Sequence, residues 1–316
     1  MAGIYFTLDN AGIFEVTGRH AERYLNNRLT NDVVAFTKLL AGSPASSPNN
    51  PVMRAGALNA QGRLEGLFTV LACAAKPGSF FIVCDAGKNN AEFAKALARY
   101  RVAEDVQFTA REDLKLIHTN STELVTECQA LAGYQASWSR NRGVAANFGT
   151  AGFDLLVPAN FQVPANIAVT AISNAEQTQQ RILSGEPQFG LDFASLNSAN
   201  EHESDTPVLL AEIGILDAVS FTKGCYVGQE VVARIDAMGK APRTLQRCRV
   251  EGSEPLEDFS VTMMAERKRT VGEVTTALEY QGAQICFVLI RNDPQILASA
   301  ELRVGARKIS ILGSLI

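Results

Sequence analysis

Lys223-Gly224-Cys225-Tyr226-Val227-Gly228-Gln229-Glu230, running on into Val231-Val232-Ala233-Arg234, is the stretch from which the rest of the chain can be read. Gly224 and Gly228 permit backbone conformations closed to other residues, so the segment reads as a tight turn or a place of close ligand approach. Lys223 stands two residues before Cys225. A neighbouring cation favours the thiolate, and the thiolate is the reactive form of cysteine. Gln229 and Glu230 open a predicted helix in which Val231, Val232 and Ile235 face the core. The residues alone leave two readings open: a functional thiol on an exposed turn, or a glycine-rich turn with a structural cysteine. The three histidines, His20, His118 and His202, are scattered, and none lies near Cys225 in sequence to act as its base.

Outward from this loop, the chain has 316 residues, 47% hydrophobic and 20% charged. That length predicts two or more units, and that composition a large apolar core that needs neither disulfides nor a structural metal. The balance of 29 basic to 33 acidic residues gives a net charge of −4, which argues against a dedicated nucleic-acid binder. An RNA role would have to rest on Arg140-Asn141-Arg142 and Arg267-Lys268-Arg269, clusters that read as solvated faces. The 6 cysteines lack the paired spacings of zinc or cluster sites, and no metal site is predicted. Cys73, Cys84 and Cys286 sit in apolar runs and read as small core hydrophobes. Met1 to Thr7 reads as the start of a strand rather than a signal or transit peptide, and no apolar run reaches membrane-spanning length. The expectation is a soluble, cytoplasmic protein with reduced thiols and no membrane contact.

Two domains are expected, 1–244 and 245–316. In the first, Gly12 to Val16 reads as a strand, with Thr17 capping a helix through Ala21, Tyr24 and Leu25. Ala41 to Pro51 consists of breakers and small polar residues and reads as a loop. Strands follow at Met53 to Asn59, Leu64 to Cys73 and Phe80 to Asp85, then a helix from Asn89 to Tyr100. Leu114 to Ile117 and Ala165 to Thr170 read as strand, Asn174 to Leu183 as helix, and Asn197 to Asp205 as a surface loop. Beyond Leu245 the chain becomes short β runs at Gln246 to Val250, Ser260 to Met264, Thr270 to Thr276, Gln284 to Ile290 and Lys308 to Leu312. These predict a small separate β-barrel.

Lys-Gly-Cys-Tyr-Val-Gly-Gln-Glu at 223–230, with Arg234 four residues on, resembles the signature of the YgfZ family. Those proteins are relatives of the glycine-cleavage T-protein that bind folate and assist the making or repair of iron–sulfur enzymes. Other segments agree in order. Val16 to Arg19 and Leu29-Thr30-Asn31-Asp32-Val33 resemble the family's amino-terminal strand-helix and its Thr-Asn-Asp motif. Gln61-Gly62-Arg63 resembles its Lys-Gly-Arg turn, and Arg181 to Pro187 the Arg-Ile-x-x-Gly-x-Pro element of the wider T-protein group. Val271 to Thr276 resembles a turn of the carboxy-terminal barrel. The resemblance implies an α+β, aminomethyltransferase (T-protein)-like folate-binding body of two α+β subdomains, followed by the small β-barrel.

It also implies a ligand, tetrahydrofolate or a derivative, and as partners iron–sulfur client enzymes or assembly proteins, with support of tRNA modification among the consequences. Cys225 becomes the functional thiol. Lys223, Gly224, Tyr226, Gly228, Gln229, Glu230, Arg181, Asn31, Asp32 and Glu212 become the candidate folate-binding residues, Arg181 and Lys223 for the anionic glutamate tail. Two departures are visible. Glu92 stands where the T-protein carries its catalytic Asp, and the extra methylene displaces the carboxylate by about 1 Å. Leu209 fills the slot in which relatives place a pterin-binding Glu, the nearest carboxylate being Glu212. The alternative to a folate-dependent helper is a folate-dependent aminomethyl or one-carbon transferase, which would depend on Glu92 or another carboxylate.

Overall fold

The computed structural model describes residues 3–40, 50–73, 76–85, 90–140, 142, 152–193, 207–264 and 268–314. Nearly all of the loop expected at 41–51, and all of that expected at 197–205, lie outside the described residues. The chain divides into two compact units. One comprises residues 1–60, 65–180 and 217–227, the other 61–64, 181–216 and 228–316. The second unit thus adds to the carboxy-terminal strands three stretches that the sequence reading grouped with the body, 61–64, 181–216 and 228–244.

In chain order the first part runs β1 (Gly3–Thr7), β2 (Gly12–Thr17), α1 (Ala21–Arg28), α2 (Val33–Leu40), β3 (Met53–Leu58), β4 (Leu64–Ala72), β5 (Phe80–Cys84), α3 (Asn90–Ala98), β6 (Gln107–Ala110), β7 (Leu114–Thr119), α4 (Thr122–Gln129), β8 (Ala136–Arg140), β9 (Gly152–Pro158), β10 (Val169–Ala171) and α5 (Asn174–Ser184). The strands form two five-stranded sheets, ordered β10-β1-β7-β9-β8 and β3-β4-β5-β2-β6. β5 is buried at every residue, as its unbroken run Phe-Phe-Ile-Val-Cys requires of a strand covered on both faces. Side chains of both sheets share one core. Ile13, Leu71, Phe81 and Val83 meet Leu114, Leu116, Leu156 and the single tryptophan, Trp138. That shared apolar core makes the two sheets one folding body.

The rest runs α6 (Gln229–Met238), β11 (Arg243–Glu251), β12 (Ser260–Met264), β13 (Lys268–Tyr280), β14 (Ala283–Arg291), α7 (Pro294–Leu297), β15 (Leu302–Val304) and β16 (Arg307–Ser314). These strands close into a barrel ordered β11-β14-β13-β12-β15-β16. Alternation along β11 turns Cys248 and Val250 inward, where they pack with Val261, Val271, Cys286, Val288 and Ile309, and leaves Arg247 and Arg249 on the outside. The α+β class and the carboxy-terminal barrel are thus as the sequence implies.

Local readings differ in places. Thr17 does not cap α1: it is the last residue of β2, paired with Gln107, and the chain turns at Gly18 with φ 114° before the helix begins at Ala21. The strand expected at Ala165 to Thr170 shrinks to β10, which pairs in parallel with β1. Val271 to Thr276 is not a turn but the middle of β13, where the register to β14 shifts between Val274 and Thr276.

Candidate functional site

Within the first unit, the Thr30-Asn31-Asp32 motif and the segment from Asp217 to Tyr226 are held together by side chains from both. Thr30 is fully buried. Its hydroxyl donates to Ala218 O at 2.5 Å and accepts from Gly56 N at 2.8 Å, while its own carbonyl accepts from Ser220 N at 3.0 Å. Asn31 Nδ2 donates to Arg54 O and to Asp217 O, both at 2.9 Å, and its Oδ1 accepts from Asp32 N. Asp32 Oδ1 in turn accepts from Ala35 N at 2.8 Å and so opens α2. Arg54 and Asp217 add an ion pair at 3.0 Å.

The return contact comes from Lys223, whose side chain is buried. Its ammonium donates to Leu29 O at 2.7 Å, to Asn31 O at 2.9 Å and to Asn26 O, and lies 5.0 Å from the Tyr226 ring centroid. An ammonium has three N–H donors, and here each meets a carbonyl. Burial pulls its pKa down from 10.5 to about 8, against the opposing pull of Asp32. The same burial pushes the Tyr226 phenol up to about 12. Lys223 is therefore a brace between two segments nearly two hundred residues apart, and this corrects both roles expected of it. It is not turned outward to meet a folate tail, nor placed as a free cation beside the thiol.

Cys225 is exposed on the loop so braced, whereas Cys73, Cys84, Cys128, Cys248 and Cys286 are all buried. Burial raises the thiol pKa of Cys128 and Cys286 to about 12. Gly224 does not use the conformational freedom of glycine: its backbone is not left-handed, and a Cβ there would meet open space. The left-handed conformation falls at Gly228, with φ 81°, immediately before α6. No residue of α6 is fully buried. Val231, Val232 and Ile235, expected in the core, are half-buried, and Glu230 pairs only with Arg234 at the exposed surface.

In the second unit Glu212 is buried, and its carboxylate is saturated. Oε1 accepts from Arg243 Nε at 2.7 Å, and Oε2 accepts from Arg243 at 2.9 Å, Leu209 N at 2.9 Å and Arg63 at 3.4 Å. Arg181 is likewise buried against Asp192, and Asp192 also accepts from the Thr276 hydroxyl at 2.8 Å. Leu209, in the pterin slot, is buried and apolar. Gly62 of the Gln-Gly-Arg turn has φ 72°, and a Cβ there would lie 2.7 Å from Val231 Cβ, so that turn is kept bare to admit α6.

The chemistry of these donors does not fit the folate role carried over to them. An amide-like pterin edge needs a carboxylate with open lone pairs, and a glutamate tail needs a free cation. Glu212 and Lys223 are closed on internal partners, and the charge of Arg181 is taken up by Asp192, which leaves only its buried Nε without a partner among the described residues. Asp32, Tyr226, Gln229 and Glu230 are the polar candidates with accepting or donating capacity left. The side chain of Glu92 lies outside the described residues.

Sequence reasoning missed a buried ionic chain in the first unit. Arg142 pairs with Asp154 and with Asp85 (3.0 Å), Arg140 with Asp85 (3.3 Å), and His118 Nδ1 lies 2.9 Å from Asp154. Burial alone would raise the Asp85 carboxyl, but Arg142 and Arg140 hold it well below the usual carboxylate range. Arg140 and Arg142 are therefore not a solvated face for RNA. Of the other cluster, Lys268 and Arg269 are exposed and Arg267 lies outside the described residues. Arg-x-Arg beside a strand with an Asp on the neighbouring strand was the only signal for this chain, and it is a weak one. Among the described residues no three His, Cys, Asp or Glu side chains gather into a metal site. No helix among them is long and apolar enough to cross a membrane.

The fold is that of the glycine-cleavage T-protein. The crystal structure of aminomethyltransferase T from Bartonella henselae superposes with a TM-score of 0.69, covering 99% of this chain and 85% of that one at 14% identity. No protein-family model matches the chain. Relatives by sequence include the human mitochondrial iron–sulfur cluster assembly factor IBA57, 28% identical over 282 residues, or 85% of this chain and 73% of that protein. They also include an uncharacterized protein of Haemophilus influenzae, 25% identical over 92% of this chain and 89% of that one. The tRNA-modifying protein YgfZ of Cronobacter sakazakii is 32% identical over 150 residues, 42% of this chain and 44% of that one. Within the T-protein-like fold, the chain is similar in sequence to YgfZ and IBA57.

Proposed function

We propose that this protein assists the assembly or repair of iron–sulfur enzymes through the Cys225 thiol, that tetrahydrofolate or a derivative is its small-molecule ligand, and that it works in the cytoplasm. The observation that carries this reading is Cys225 itself. It is the one exposed thiol of six, on a loop anchored from beneath by Lys223 and cross-braced to the Thr30-Asn31-Asp32 turn. One thiol cannot complete a conventional cluster. Cys225 therefore meets a client or its cluster as one contributor, the other ligands coming from the partner.

Kinship with an iron–sulfur assembly factor supports the client class, and the T-protein-like fold supports the folate. Glu212, Arg181 and Lys223 add no support to the folate, since their charges are already neutralised or hydrogen-bonded within the protein. Cys225 is not needed to hold the folate in this reading. Calorimetric titration of tetrahydrofolate, under reducing conditions, into wild type and Cys225→Ala tests it. Equal binding by both is the expected result. No binding by wild type would remove the folate and leave only the fold.

A further inference from the structure

On the outside of the barrel, β11 places Arg247 and Arg249 on the same face, two residues apart and so roughly 7 Å along the strand. They border a cavity of ≈ 300 Å³ whose other walls are Tyr280 and Gln281 at the β13–β14 hairpin, Ile285 on β14 and Leu312 on β16, with Leu183 at the rim. That volume lies at the lower end of small-molecule sites. No acidic side chain lines it. Arg247 gives one N–H to Leu183 O, and the Arg249 side chain is exposed with no partner among the described residues. The nearest hairpin carboxylate, Glu279, is turned onto its own turn, accepting from Gly282 N at 3.0 Å.

The rim is also conformationally marked. Gln281, with φ 50°, is the single non-glycine residue among those described with a left-handed backbone, and its amide donates to Tyr280 Oη at 3.2 Å. Two guanidiniums without an acidic partner, lined up with a phenol ring and three aliphatic side chains, make an amphipathic cavity, with Ile285 directly opposite Arg249. Two forks of N–H donors suit the three terminal oxygens of a phosphate monoester better than a single carboxylate. The Tyr280 face with Ile285 and Leu312 suits a flat apolar body.

We propose that this barrel cavity is a binding site for a small aromatic phosphate monoester, the phosphate on Arg247 and Arg249 and the ring on Tyr280. The site is independent of Cys225 and of the folate reading. The test is a saturation-transfer NMR titration of the full chain with 1-naphthyl phosphate and with adenosine 5′-monophosphate, using 1-naphthol and inorganic phosphate as half-ligands. The expected result is saturable binding of 1-naphthyl phosphate at about 1 mM or tighter, with each half-ligand at least about tenfold weaker. Arg249→Glu and Leu312→Asp both alter exposed side chains and should leave the fold intact. The first should weaken binding by at least about tenfold and the second by several-fold. Tighter binding of adenosine 5′-monophosphate than of 1-naphthyl phosphate would identify the body as a nucleoside. Unsaturable binding, or an affinity unchanged in Arg249→Glu, would overturn the proposal.

Discussion

Replacing Lys223 with Met removes an ammonium that three carbonyls share and leaves Asn26 O, Leu29 O and Asn31 O without their donor. At about 1.5–2 kcal/mol for each charge-assisted bond the gross loss is roughly 5 kcal/mol. Methionine escapes the desolvation of the ammonium, which the fall in pKa from 10.5 to about 8 sets at roughly 3 kcal/mol. The difference predicts a net loss of about 2 kcal/mol at neutral pH, large against the marginal stability of a folded domain. The pH dependence has a definite sign. Because the folded-state pKa lies below the unfolded one, the unfolded chain holds the extra proton between about pH 8 and 10.5, and wild-type stability rises with pH across that window. The methionine variant lacks that rise, so the gap between the two proteins widens above about pH 8. Urea unfolding at a series of pH values measures it. Equal stability of the two proteins to within about 0.5 kcal/mol would refute the brace, and a gap that closes as pH rises would refute the lowered pKa.

Thiol titration of the native protein with a disulfide reagent should find Cys225 alone reacting fast, and all 6 cysteines after unfolding. Gln281 and Gly282 form a two-residue hairpin turn with φ 50° and 74°, so Gln281→Asn should stabilise the protein by about 0.5 kcal/mol, read as a raised denaturant midpoint. His118 is held below its ordinary 6.5 by burial, against the opposing bond to Asp154. The unfolded chain therefore takes up that proton first, and stability should fall as pH drops through the ordinary imidazole range. Asp154, held low by Arg142 despite burial, continues the loss at more acidic pH. His118→Gln should flatten the upper part of that slope in pH-resolved urea curves.

The barrel was legible because its strands obey a period-two pattern that local chemistry enforces. Ser260 to Met264 coincides with the observed strand, and Gln246 to Val250 falls inside β11. β5 was legible as an unbroken apolar run. The helices α2 and α4 were missed for different reasons: α2 carries apolar residues on several sides and α4 is mostly polar, so neither gives a clean stripe. At the site, motif and spacing picked out the loop and its thiol. They did not reveal what Lys223, Arg181 and Glu212 do, because a charged residue looks the same in sequence whether it faces a ligand or a buried carbonyl. Only the tertiary partners decide: Asn31 O for Lys223, Asp192 for Arg181, Arg243 for Glu212. The Arg140 and Arg142 pair taught the same lesson. A basic cluster became a buried chain once Asp85 and Asp154 were brought beside it from other strands.

The most direct test of the account is the activity of an iron–sulfur enzyme in cells that lack their own copy of this protein, supplied with wild type or with Cys225→Ala at equal abundance. Cys225 is exposed, so the substitution should leave stability within about 0.5 kcal/mol and separate function from folding. The account predicts that wild type restores the activity and Cys225→Ala does not. Full restoration by Cys225→Ala would contradict it.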